Sequence, residues 1–247
     1  MLLGLLVAYV IGTGNSTDPL THCPPGDPAA VSMVLVDASD PLDGVQAERA
    51  KATIISEMKA MPARGRIDIY LADTADGSLK APTYSLCNPG APDQFTGIIN
   101  DASAVRKAFE DDYLKAVDDT MSNLLQAKEL PSSPIIESLR SAATKSFARL
   151  DSKVPLHITV ISDMVQNSSL LKQKALPESQ GDLRDEFDQF AKSASWPRAL
   201  VDLHRADIEI VYVSRPKYRA FQGIGHLAWW EKYFDAMNGG RMTVDTI

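Results

Sequence analysis

Cysteine is nearly absent from this chain: Cys23 and Cys87 are the only two. Two thiols exclude the usual zinc sites built on four cysteine-rich ligands. Basic charge is also short, with 25 Lys and Arg against 32 Asp and Glu for a net charge of -7. No basic stripe interrupts that balance, which argues against a nucleic-acid partner, whose affinity rests on clustered Lys and Arg. A Gly-x-Ser-x-Gly turn and a Gly-rich phosphate loop are both missing, so neither a nucleophile elbow nor a phosphate cradle of known form is encoded. His157, His204 and His226 stand apart from cysteine and from any serine in a catalytic setting, and read as structural. Long apolar runs are lacking too. The longest, residues 1–12, would reach only about 18 Å as a helix, against roughly 30 Å for a bilayer core. No positive residues precede it, as they would in a complete secretory signal.

What is present is an ordinary globular composition, 45% hydrophobic and 23% charged over 247 residues, enough for one large domain. Two apolar strands dominate it, Val31 to Asp37 and Leu156 to Ser162, each ending in an acidic residue, Asp37 and Asp163. Near-continuous Val, Ile and Leu runs read as strands buried on both faces of a parallel sheet, whose ligands sit outside the carboxyl ends of the strands. Asp37, Ser39 and Asp163 are therefore expected on one rim, their oxygens converging on a crevice suited to a hard divalent cation.

Strand and helix patterns alternate along the rest of the chain. Helical spacing covers residues 43–60, with Val45, Ala47, Ala50, Ile54, Ile55 and Met58 as its apolar positions. A second strand, Ile67 to Leu71, ends at Asp73, and Thr83 to Leu86 reads as a short antiparallel edge strand. Residues 101–130 predict one long amphipathic helix that Pro131 ends. Pro134 opens another to about Leu150, with Ser133 in the capping position. A helix from near Asp182 stops before Pro197, the strand Ile208 to Val213 leads into a loop carrying Arg215, Lys217 and Arg219, and a helix from about His226 to Met237 precedes a closing strand, Met242 to Ile247. Trp229, Trp230, Tyr233 and Phe234 fall at helical spacing and are expected to pack on the sheet, with Trp230 as an interface anchor the alternative. The order predicts an α/β, Rossmann-type three-layer sandwich with a mostly parallel sheet and one short antiparallel edge strand.

The chain divides into residues 1–12, a polar linker 13–30 and the domain 31–247. Two readings of the first segment stay open: the tail of a membrane anchor or signal, or a buried N-terminal element. Cys23 precedes the first strand and Cys87 follows the descending edge strand, so both thiols fall at the amino-end floor of the sheet, opposite the acidic rim. A disulfide there implies an oxidising compartment, extracytoplasmic or periplasmic; two free thiols imply a reducing cytosol.

At these residues the chain resembles the von Willebrand factor type A family. The metal-ion-dependent adhesion site of that family combines an Asp-x-Ser-x-Ser turn after the first strand, a Thr at a later loop-helix junction and an Asp after the central strand. Asp37-Ala38-Ser39-Asp40-Pro41 stands at the first element, Ser133-Pro134 at the second and Ser162-Asp163-Met164 at the third. The resemblance implies Asp37, Ser39, Ser133 and Asp163 as metal ligands, magnesium as the ion, and a protein partner whose carboxylate completes the metal shell. Pro41 replaces the second Ser and removes one hydroxyl ligand, which leaves two alternatives, a site that still holds the ion and a degenerate site whose rim loops bind the partner by surface complementarity; Asp40 either adds a carboxylate or caps the helix that follows. The expectation is a non-catalytic protein-interaction domain held near a membrane by its N-terminus, with Asp40, Arg215, Lys217 and Arg219 at the edge of the docking surface. The competing expectation is a magnesium-dependent hydrolase or nuclease using Asp37, Asp40, Asp73 and Asp163.

Overall fold

In the computed structural model, residues 18, 21, 23–90, 107–125, 129–173, 183–219 and 221–247 are described. The apolar run 1–12 lies outside them, as does most of the linker. Six strands form one sheet: β1 (Val31–Asp37), β2 (Arg66–Ala72), β3 (Tyr84–Cys87), β4 (Leu156–Ser162), β5 (Asp207–Tyr212) and β6 (Met242–Thr246). Their order is β3-β2-β1-β4-β5-β6, with every pair parallel except the β2–β3 pair at the edge. The expected α/β sandwich, mostly parallel with one antiparallel edge strand, is therefore observed.

All of β1 is buried, because helices cover both faces of the sheet. Met33, Leu35, Ile158, Val160, Ile208 and Ile210 face one core, packed under α3 (Ile135–Ser146), α4 (Leu183–Ala191), α5 (Trp196–Ala199) and α6 (Ile224–Ala236). Val34, Val36, Ile67, Ile69, Ile161 and Val211 face the other, under α1 (Gly44–Ala60) and α2 (Lys115–Leu125). The alternation is the period of two expected of a strand. Trp229, Trp230, Tyr233 and Phe234 are all buried in the first core, which removes Trp230 as an interface anchor.

Several boundaries differ from the sequence reading. On α1 the buried stripe is Ala47, Ala50, Ile54 and Met58, spaced by three and four, whereas Val45 lies off that stripe and is 72% exposed. The predicted long helix is interrupted: wide π-type turns over Ala108–Tyr113 precede α2, and the predicted ends at 101–106 and 126–128 lie outside the described residues. The wide turn carries an extra residue per hydrogen bond, and it leaves Tyr113, Val117 and Met121 buried in one row. The helix expected to stop before Pro197 does so, ending at Ala191, and Pro197 lies in the first turn of a further short helix, α5, where its missing N–H costs nothing. Ser133 does not cap α3, since Pro134 holds the cap position and makes no side-chain bond there.

Cys23 and Cys87 form a disulfide. Cys87 pairs with Arg66 at the start of β2, so the bridge sits at the amino-end floor, as its place in the topology predicts. Among the described residues no helix is long and apolar enough to cross a membrane.

Candidate functional site

Strand order reverses between β1 and β4, and the candidate site lies outside their carboxyl ends. β1 delivers Asp37 as its last residue, and β4 delivers Ser162 and then Asp163. Asp37 is 9% exposed and fully engaged. Its Oδ1 accepts the Ser39 backbone N–H at 2.9 Å, and its Oδ2 accepts the hydroxyls of Ser162 at 2.8 Å and Ser133 at 3.1 Å. Ser39, Ser133 and Asp163 are each buried beside it.

Asp163 has a different lot. Its Oδ1 accepts the Val165 N–H at 2.8 Å. Burial, and after it the negative charge of Asp37, push its carboxyl up to about 7; the Val165 bond opposes the shift, Asp40 adds to it, and the Arg215 charge opposes it. Two close carboxylates short of positive charge hold a proton or call for a cation.

The turns around this pair are fixed from below. Met164 adopts a left-handed backbone, φ 60°, which a non-glycine residue tolerates only when its neighbours hold it there. Its carbonyl accepts the Trp230 indole N–H at 2.9 Å, its N–H reaches the Ser162 hydroxyl at 2.8 Å, and Gln222 Nε2 donates to the Asp163 carbonyl at 3.1 Å. Gln166 provides the cap that Ser133 does not: its Oε1 accepts the Ile136 N–H at 2.9 Å, and its Nε2 donates to Glu137 and Ser168 at 2.9 Å each.

Asp40 turns away from the pair. Its carboxylate meets the Lys217 ammonium at 2.8 Å, and Lys217 also meets Glu129 at 3.1 Å. Burial lowers the Lys217 pKa, but the bonds to Asp40 and Glu129 outweigh it and raise the pKa overall. Arg215 clasps the same loop, donating to the Pro41 carbonyl at 2.6 Å and the Asp40 carbonyl at 3.1 Å. The helix cap is Asp43, whose side chain accepts the N–H groups of Val45 and Gln46. Two of the three basic residues on this rim are thus braces for the β1 loop, and Arg219 stands exposed beyond them. Asp73 is exposed past the end of β2.

As a donor set, Asp37, Ser39, Ser133, Ser162 and Asp163 offer only oxygen, which suits a hard cation such as magnesium. Pro41 offers none. Among the described residues no three His, Cys, Asp or Glu side chains gather so as to hold a metal ion. The set holds two carboxylates, Asp37 and Asp163, and otherwise hydroxyl oxygens. Ser162 and Gln166 escaped the sequence reading. Ser162 carried a weak signal, a polar residue closing an apolar strand beside Asp163.

No protein-family model matches the chain, and no curated protein matches it. Among solved structures, the PilB minor pilin from Streptococcus sanguinis is similar at a TM-score of 0.40 and 10% identity. The alignment covers 94% of this chain and 59% of the pilin chain, so this chain spans less than two thirds of that protein.

Proposed function

We propose that this chain is a von Willebrand factor type A-like, non-catalytic interaction domain that binds a protein partner at the carboxyl-end rim of its sheet. The observation that carries the reading is the meeting of Asp37 and Asp163 at the point where strand order reverses, with buried Ser39 and Ser133 beside them. Asp37, Ser39, Ser133 and Asp163 would hold a magnesium ion, and the ion would supply an open position for a partner carboxylate. The protein's own part is to hold those oxygens in place: the Trp230, Gln222 and Gln166 bonds lock the turns, and the Lys217 and Arg215 braces fix the β1 loop. Burial of both carboxylates makes an added positive charge favourable there. The disulfide supports an oxidising compartment, extracytoplasmic or periplasmic, for a domain held near a membrane by its N-terminal segment. Fold alone does not fix function, so the argument rests on the rim.

Thermal melts with and without millimolar magnesium test it. Binding to the folded state raises Tm by linkage, and the increment is expected to vanish in Asp37→Ala and in Asp163→Asn, the second of which keeps an acceptor for the Val165 N–H. Absence of any magnesium effect, or equal increments in wild type and both variants, overturns the metal-mediated mechanism.

A further inference from the structure

The opposite end of the sheet carries a second polar site that the rim does not use. Beneath the carboxyl half of α1 and over the first residues of β1, β4 and β5 lies a cavity of about 740 Å³, within the range of roughly 300–1,000 Å³ typical of small-ligand sites. Its walls are mostly apolar, from Ala52, Ala60, Met61, Pro62, Pro155 and Leu156. Its polar groups converge on one carboxylate. Glu57 projects from α1 with its side chain 11% exposed. One of its oxygens accepts the Ser32 hydroxyl, and the other accepts the Thr159 hydroxyl at 2.8 Å.

Those partners sit at unusual places. Ser32, His157, Thr159 and Glu209 share one face of three adjacent strands, with Ser32 registered against His157 and Thr159 against Glu209. Further along the same face the sheet is apolar, at Val34, Val36, Ile161 and Val211. His157 and Glu209 are half-buried and Asp207 is exposed, so this end of the face is left open to solvent beside α1. His157 Nε2 lies 3.8 Å from Glu57 Oε1 and 3.8 Å from Glu209 Oε2, beyond hydrogen-bond reach of either.

We propose that this floor cavity binds an ammonium group on an alkyl stem, with the carboxylates of Glu57 and Glu209 as its acceptors and the apolar wall covering the stem. Charge favours it: Glu57, Asp207 and Glu209 line the cavity against one base, His157. Burial raises the Glu57 pKa, with Glu209 adding to it and His157 and the two hydroxyls opposing it, so a cation relieves a charge that desolvation disfavours. The ammonium belongs either to a free amine or to a lysine side chain of a protein. The site is independent of the rim, which lies at the other ends of the same strands.

Calorimetric titration of the full chain with cadaverine, with acetyl-lysine amide and with pentanol as a neutral control tests the proposal. Saturable binding of an amine is expected, weakened about tenfold or more in Glu209→Gln, since a charge-assisted hydrogen bond is lost, and abolished in Glu57→Gln, with pentanol silent. Tighter binding of cadaverine assigns a free amine, and tighter binding of acetyl-lysine amide assigns a protein side chain. Glu209 is one-third exposed, so its variant keeps the fold and decides the matter if Glu57→Gln does not fold. Equal binding of pentanol, unchanged affinity in Glu209→Gln, or no binding of either amine overturns it.

Discussion

Asp163 and His226 pull the stability of this protein in opposite directions as pH changes. The folded Asp163 carboxyl, up at about 7, keeps its proton where the unfolded carboxyl at 3.8 has lost it. Its contribution is therefore complete below about pH 4 and is lost as pH rises through 7, by up to about 4 kcal/mol. His226 is the reverse case. Burial drives it down to about 3, a backbone bond to Met164 opposing, so its contribution is present above 6.5 and is lost as pH falls toward 3. The two slopes overlap and offset each other between about pH 4 and 6.5. Asp163→Asn is expected to raise Tm by several degrees at pH 8, to change it little at pH 4, and to expose a decline below pH 6.5 in melts across that range; an equal shift at both pH values would contradict the assignment. Asp37 and Asp163 were legible because each closes an apolar strand. The environment that perturbs Asp163 was not, since Asp37 and Arg215 reach it only through the fold. The Asp40–Lys217 pair was equally hidden, its members 177 residues apart.

At the scale of elements, alternation of strand and helix was readable throughout, while helix ends were not. Asp43 and Gln46 cap α1 from neighbouring positions, a local signal. The α3 cap comes from Gln166, thirty positions on, and no local pattern announces it. Gln166 also joins Glu137 and Ser168 in a buried network, so its loss strands several polar groups at once. Gln166→Ala is expected to cost about 2–4 kcal/mol in urea unfolding, with greater amide exchange in the first turn of α3, whereas Ser133→Ala should leave that turn unchanged. Pro197 shows the same limit from another side: proline is compatible with the end of one helix and with the first turn of the next, and here packing of Phe187 and Phe190 against Trp196 accompanies the second.

For the whole molecule, the mostly parallel sheet, its short antiparallel edge strand and the floor position of both cysteines were readable from the order of elements, whereas the strand order itself came from the structure. Also beyond that reading was the polar start of β4 and β5, because a strand pattern does not say which stretch a helix will leave open. The disulfide closes a loop spanning 64 positions and in the chain-entropy model stabilises the domain by about 4 kcal/mol. Reduction is expected to lower the urea midpoint accordingly, and an unchanged midpoint would show that the bridge adds nothing. The same bridge also sets a mechanical path. Tension applied at residues preceding Cys23 passes through the bond into Cys87 and on to the residues after it, so β1, α1, β2 and β3 lie inside a covalent bypass and bear no extension of their own. Pulled from its two ends, the oxidised molecule should pay out roughly 220 Å less chain than the reduced one, 64 positions at about 3.5 Å each.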